Sequence, residues 1–326
     1  MKSLLRSFLK KILPRVIIEK ISRSFSYNNE YYKGPFANEK ELGKATNYIE
    51  RFREIISDPI NLLIERVPSA GYLDQNRNVI LHNGTRVPID GNFSYYGRFS
   101  EILIINRGVH EPLEEYCFQE LLKYLSKDDK THTMLELGAY WGHYSLWFSK
   151  VLKNTHCTLV EPEEINIEAG KKNFQRNGKE AVFIQEFVSS ENFTVDKFFS
   201  ENSSKISDLT LLHSDIQGFE EEMLLNSEKA LSEKKIKYLM ISTHGKRIHE
   251  KCLSIIKRNK YIVSLDSEPI SHTTSSDGFI FAHHTGVDGI VNSKEIFGRM
   301  EIAHKTASEK LSYLNDLLDR QNYKIN

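Results

Sequence analysis

Hydrophobic runs and helical patterns alternate along the second half of the chain. Short apolar runs predict seven strands, at residues 133–137, 157–161, 181–188, 208–216, 237–243, 261–265 and 278–282. Between them, apolar residues recur at helical spacing in segments 141–153, 163–177, 219–231 and 248–259, and less regularly near 193–201. This alternation requires crossover connections, so it predicts an α/β fold with a doubly wound, mainly parallel seven-stranded sheet. No helical pattern separates the last two runs, and the final strand is therefore expected to be antiparallel to its neighbour.

A β-hairpin is predicted before this region. Two β-rich runs, 78–82 and 85–89, flank Asn83-Gly84, a dipeptide that favours hairpins in which both turn residues have positive φ. The apolar run 102–105 predicts a further strand.

Helical spacing outside the sheet region predicts helices over residues 48–56 and 112–125 and one or two exposed helices over 293–318. These patterns divide the chain into four parts. They are a basic arm and linker (1–40), a helix and hairpin module (41–130), a sheet domain (131–285) and a helical tail (286–326).

Charge is balanced over the whole chain, with 44 basic and 44 acidic residues, so a nucleic-acid partner is not expected. Residues 1–23 are the exception, because Glu19 is their one acidic residue and several basic residues alternate with apolar ones. This segment predicts an amphipathic helix, either on an anionic membrane surface or packed on the protein body. Its interrupted apolar run excludes a membrane span. Three distant cysteines favour reduced thiols and a cytoplasmic location, with peripheral contact at the inner membrane surface as an option.

Candidate chemistry is concentrated where the first predicted strand ends. Glu136 is followed by a turn that contains Gly138 and Gly142, and Glu161 closes the next strand. A carboxylate at such a strand end accepts hydrogen bonds from ribose hydroxyls. The bulky pair Tyr140-Trp141 would crowd a diphosphate, so this turn favours a nucleoside without phosphate, such as S-adenosylmethionine, over a dinucleotide. A purely structural turn is the alternative.

Four motifs stand at Glu136–Gly142, Leu159–Pro162, Thr194–Asp196 and Leu211–Glu220. Together they resemble the FkbM family of S-adenosylmethionine-dependent methyltransferases, whose pattern is D-x-G-A-N-x-G, x-E-P, T-L-D and K-x-D-x-E-G-x-E. The resemblance covers residues 79–283. The chain departs from the pattern at Glu136, Tyr140, His213 and Gln217.

The resemblance implies a cofactor site for S-adenosylmethionine and O-methylation of a sugar or a sugar-bearing natural product. It assigns the methionine and ribose portions to Glu136, Gly138, Ala139 and Gly142, and the ribose hydroxyls to Glu161. The strand 181–188 is expected to form the adenine wall, with Glu186 and Phe187 as candidates. Two other functions stay open. One is a nicotinamide-dependent dehydrogenase, which the missing G-x-G-x-x-G motif disfavours, and the other is a non-catalytic nucleoside-binding or membrane-associated module.

Catalysis is predicted at the ends of the fourth and fifth strands of the sheet. We expect Asp215 to hold and polarise the acceptor hydroxyl and His244 to act as the base, because an unperturbed imidazole titrates near neutral pH. His213 precedes Asp215 by two residues and completes the predicted catalytic set. As an alternative, these three residues form a divalent-metal site that lowers the pKa of the acceptor.

Overall fold

The computed structural model describes residues 47–95, 100–269, 277–291 and 296–322, without the side chains of 47–51, 299–300 and 320–322. The predicted basic arm and linker, including the membrane contact through residues 1–23, lie outside this range. Within it, no helix combines the length and the apolar character needed to cross a bilayer. The domain boundaries predicted at residues 40, 130 and 285 stay predictions.

The helices and strands follow the predicted alternation closely. In chain order, the helices are α1 (Asn47–Ser57), α2 (Ile102–Ile105), α3 (Pro112–Leu125), α4 (His143–Val151), α5 (Glu164–Arg176), α6 (Val195–Glu201), α7 (Glu220–Leu225), α8 (Glu228–Ser232), α9 (Lys246–Arg258), α10 (Arg299–His304) and α11 (Ala307–Asn322). The strands are β1 (Asn78–Ile80), β2 (Arg86–Pro88), β3 (His132–Leu137), β4 (Thr155–Val160), β5 (Val182–Ile184), β6 (Leu209–Ser214), β7 (Ile236–Thr243), β8 (Tyr261–Ser267) and β9 (Gly278–His284).

The predicted fold class is confirmed. A seven-stranded sheet has the order β5-β4-β3-β6-β7-β9-β8, and β9 is antiparallel to both of its neighbours. Side chains alternate between the two faces: Met134 packs with α3 and α4, whereas Leu135 packs with α6 to α9. Burial on both faces explains why the strands read as continuous apolar runs.

The hairpin is confirmed, but its turn differs from the prediction. β1 and β2 pair antiparallel, with Ile80 opposite Arg86. Gly84 has φ +80°, but the φ angle of Asn83 is not positive. The Asn83 side chain instead accepts a hydrogen bond from the Thr85 amide at 2.9 Å, so a side-chain turn replaces the expected one.

The prediction of a strand at residues 102–105 is wrong, because these residues form helix α2. Ile102 and Leu103 are buried while Ile104 and Ile105 are exposed, a pairing that alternation along a strand would not produce. Packing of Ile102 and Leu103 into the hairpin core therefore overrides the β propensity of isoleucine.

The tail forms two helices, but the second is only partly exposed. Tyr313 and Leu317 of α11 are buried in the core cluster on the α3 and α4 side of the sheet. The predicted helix 219–231 is likewise divided, into α7 and α8.

Candidate functional site

A cavity of about 480 Å³ opens at the carboxyl ends of the parallel strands, where open α/β sheets bind ligands. β3 lies between β4 and β6, with Leu137 beside both Val160 and Ser214. The residues that follow these three strand ends, Gly138, Glu161 and Asp215, therefore line one cavity. Its volume is in the range of small-molecule and cofactor sites.

The turn after β3 requires glycine at position 138. Gly138 has φ +69°, and a Cβ atom built on it would lie 1.9 Å from the backbone oxygen of Asp215. The same close approach brings the Asp215 amide within 2.9 Å of the Leu137 carbonyl oxygen, to which it donates. Gly138 therefore controls how near the β3 turn comes to the loop that carries Asp215.

Gly142, the other glycine of the turn, has φ +77° and precedes α4. Ala139 also lines the cavity, whereas Gly142 is not among the lining residues and packs so closely on Leu159 that a Cβ atom would lie 2.9 Å from that side chain. Tyr140 has φ +47°, a strained conformation for a bulky residue, of the kind that recurs at functional sites.

Glu161 holds the turn from the end of β4. Its carboxylate accepts hydrogen bonds from the Tyr140 amide at 2.9 Å, the Glu163 amide at 3.1 Å and the Asn166 side chain at 3.0 Å. Because two carboxylate oxygens accept about four hydrogen bonds, acceptor capacity remains for a ligand. Glu186, in contrast, is exposed and lies outside the set of described residues that line the cavity, although Phe187 and Val188 belong to that set.

Glu136 and His213 face each other at the bottom of the cavity. Both are buried, and the His213 Nδ1 lies 3.9 Å from a Glu136 oxygen. Glu136 accepts a hydrogen bond from the Ser145 amide at 2.9 Å, which anchors the first turn of α4. Burial raises the pKa of Glu136 to about 7 and lowers that of His213 to about 3, so His213 is neutral at physiological pH.

Asp215 and His244 form the centre of an acidic cluster. The Nε2 atom of His244 lies 3.3 Å from Asp215 and 3.6 Å from Asp277, while its Nδ1 atom is hydrogen-bonded to Glu220 at 2.8 Å. Burial opposes protonation of His244, but these carboxylates outweigh it and raise its pKa to about 9. For Asp215, burial and the neighbouring Glu111 raise the pKa to about 7, against the opposing effect of His244.

These pKa values favour the opposite assignment of roles for the two residues. His244 is predominantly protonated at neutral pH and has no free site to accept a proton, whereas Asp215 titrates near neutrality. His244 as the base stays a prediction, and the raised pKa of its imidazole favours Asp215 for that role instead. The alternative metal site is also disfavoured, since His213, Asp215 and His244 do not converge at ligand distances among the described residues.

The sequence pattern missed several residues of the site. Glu111 and Asp277 both line the cavity, and the Tyr144 hydroxyl donates to Glu111 at 3.0 Å. Glu114 is buried near them and accepts a hydrogen bond from Ser242 at 2.9 Å. Glu111 immediately precedes α3 and Asp277 immediately precedes β9. Neither position carried a motif, and each is marked only by its place immediately before a helix or a strand.

The wall of the cavity is strongly acidic. Its carboxylates are Glu111, Glu136, Glu161, Glu163, Asp215 and Asp277, and among the described residues no lysine or arginine lines it. Such a surface favours cationic ligands and repels phosphate groups.

No known family model and no curated protein matches the chain in sequence. Solved structures to which it is similar include precorrin-6y C5,15-methyltransferase from Geobacter metallireducens GS-15, at 11% identity and TM-score 0.38 over 52% of this chain and 89% of that chain. A second is M. capricolum TrmK in complex with S-adenosyl-homocysteine, at 12% identity and TM-score 0.39 over 64% of this chain and 85% of that chain. A third is a SAM-dependent methyltransferase from Agrobacterium tumefaciens, at 15% identity and TM-score 0.39 over 54% and 62% of the two chains.

Proposed function

We propose that the protein is an S-adenosylmethionine-dependent O-methyltransferase of the FkbM type. The observation that carries this proposal is the cavity at the carboxyl ends of β3, β4 and β6, with six carboxylates and no described lysine or arginine in its wall. S-adenosylmethionine bears a sulfonium and an ammonium group and no phosphate, and an acidic cavity favours it electrostatically. The diphosphate of a nicotinamide dinucleotide would be repelled by the same wall.

Residues of the turn match the chemistry of this cofactor. Gly138 and Ala139 line the cavity and carry little or no side chain, so the methionine portion would have close access to the backbone of the turn. Glu161 has acceptor capacity for the ribose hydroxyls, and Phe187 and Val188 supply apolar contact for the adenine. When bound, the cofactor supplies an electrophilic methyl group.

Asp215 acts as the general base in this proposal. A carboxylate with a pKa near the working pH combines a populated ionised form with the strongest basicity available to it. Asp215 would take the proton of the acceptor hydroxyl, and bound S-adenosylmethionine would supply the methyl group and leave as the thioether S-adenosylhomocysteine. Protonated His244, fixed by Glu220 at 2.8 Å, holds the Asp215 carboxylate in place.

The acceptor is an uncharged, hydroxyl-rich small molecule or glycan rather than a nucleic acid. The acidic wall disfavours phosphodiesters, and neutral hydroxyls pair well with carboxylates. Tyr95, Tyr140 and Trp141 line the same cavity, with the Tyr95 ring 5.9 Å from that of Tyr140 and 5.7 Å from that of Trp141. Aromatic rings of this kind provide apolar contact for the faces of a sugar.

Isothermal titration calorimetry tests the cofactor. Titrations with S-adenosylmethionine, S-adenosylhomocysteine and NAD should give binding for the first two and none for the third, because only NAD carries a diphosphate. Binding of NAD alone would overturn the proposal.

Asp215→Asn tests the base. The substitution keeps the shape of the side chain and removes its basicity, so turnover should fall about 100- to 10,000-fold while S-adenosylmethionine affinity stays nearly unchanged. Asp208→Asn is the matched control, since Asp208 immediately precedes β6 at its other end and pairs with Lys237 at 2.6 Å. Equal turnover in the two variants would remove Asp215 from the mechanism.

A further inference from the structure

A buried histidine cluster, which we define as His82, His110, Glu115 and His143, adjoins the aromatic part of the cavity wall. None of these side chains is more than 4% exposed. The cluster joins the turn of the hairpin, the segment before α3, the first turns of α3 and the first residue of α4. Nothing in the proposed methyl transfer requires three buried imidazoles at this position.

Three members of the cluster lie close enough together to bind one metal ion. Ligand atoms of His110, Glu115 and His143 all lie within 4.8 Å of one another. His110 Nδ1 is 2.7 Å from Glu115 Oε1, and His143 Nε2 is 3.9 Å from the same oxygen. Bonds of about 2.0–2.1 Å to a tetrahedral ion place neighbouring ligand atoms about 3.3 Å apart, between these two separations.

His143 supplies an independent observation. Both of its ring nitrogens are buried and have no hydrogen-bond partner among the described residues. A neutral imidazole always carries one donor and one acceptor nitrogen, so leaving both unsatisfied costs free energy. Coordination of an ion by one nitrogen would satisfy the acceptor and explain why a histidine is buried there.

Glu115 and His82 are positioned to support such a site. Glu115 accepts hydrogen bonds from the His110 and Glu111 amides at 2.8 and 3.0 Å, which fix its carboxylate. His82 Nδ1 lies 3.1 Å from the other Glu115 oxygen and 2.9 Å from the Gly108 carbonyl oxygen. Partners of this kind, one shell beyond the ligands, orient metal ligands in proteins.

We propose that His110, Glu115 and His143 bind a divalent transition-metal ion of the Zn²⁺ class, with His82 orienting Glu115. Two imidazoles and one carboxylate form a donor set that binds such ions. Because His110 and His143 also line the cavity, the ion would fix the part of the wall next to Tyr95 and Trp141.

Metal analysis of the full-length protein tests the proposal without an activity assay. The protein, expressed with added Zn²⁺ and dialysed, should contain about one zinc ion per chain by mass spectrometry. After chelation, Co²⁺ should bind with the same stoichiometry and produce a visible d–d absorption band that Zn²⁺ abolishes. Absence of zinc in the purified protein together with no Co²⁺ band would overturn the proposal, and this result depends on no variant.

Substitutions then locate the ion. His143→Gln should remove the Co²⁺ band, and His82→Gln should weaken Co²⁺ affinity about 10- to 100-fold while the band is retained. The control is His132→Gln, at a buried histidine of β3 that pairs with Asp128 outside the cluster and should leave the band unchanged. A His143→Gln protein that keeps the wild-type band would show that the ion binds elsewhere, which contradicts the proposal.

Discussion

Gly138→Ala is expected to move the loop that carries Asp215. The added Cβ atom would lie 1.9 Å from the Asp215 backbone oxygen and 2.8 Å from its carbonyl carbon, whereas ordinary contacts begin at 3.4 Å. Relief of the overlap therefore requires the β3 turn and the Asp215 loop to separate by roughly 1.5 Å if they move along the line of contact.

Two energy terms add in this variant. An alanine at φ +69° costs about 1–2 kcal/mol through the left-handed conformation, and forcing an extra carbon into a packed site costs about 1–3 kcal/mol. The free energy of unfolding should therefore fall by about 2–5 kcal/mol. A displacement of about 1 Å at a reacting group is associated with losses of about 100-fold in rate, so turnover should fall at least that far.

Gly178→Ala isolates the conformational term. Gly178 has φ +63° and no atom within 4 Å of its added Cβ, so this variant should lose only about 1–2 kcal/mol and keep its turnover. Denaturant unfolding of both variants gives the free energies, and initial rates of methyl transfer give the turnover. If Gly138→Ala is no less stable than Gly178→Ala and turns over equally fast, the close approach of the two loops is refuted.

Two further predictions concern the ionisable groups. Turnover should rise with pH as Asp215 ionises near pH 7 and fall as His244 loses its proton near pH 9. In His244→Gln the acidic limb of the profile should shift to higher pH, because the substitution removes the positive charge that lowers the pKa of Asp215. A pH profile of kcat that is flat between 6 and 8 in the wild type, or unshifted in the variant, would contradict this assignment. Glu161→Gln should weaken S-adenosylmethionine binding about 10-fold or more in calorimetry, since a buried charged acceptor is lost, whereas exposed Glu186→Gln should leave it unchanged. Equal affinities for the two variants would remove Glu161 from the ribose site.

Much of the fold was predictable because periodicity reports burial. Strands buried on both faces appear as unbroken apolar runs, and the helices between them bury one stripe. Residues 102–105 show where this argument fails. Four consecutive apolar residues fit a strand and a short helix equally well, and the choice depended on the hairpin core against which Ile102 and Leu103 pack.

The functional site was likewise only partly predictable from the sequence. Gly138, Glu161 and Asp215 were identifiable from sequence because each lies at the carboxyl end of a predicted parallel strand, and parallel strands end at one edge of a sheet. Glu111 and Asp277 were not, since they reach the cavity from the starts of α3 and β9, far away in sequence. The ionisation states of His244 and Asp215 likewise depend on these distant carboxylates.

The local sequence pattern thus determined the order of the elements and the strand ends that form the cavity. The tertiary structure alone decided which charges meet there, because electrostatic interactions depend on distance in space and on burial rather than on separation along the chain.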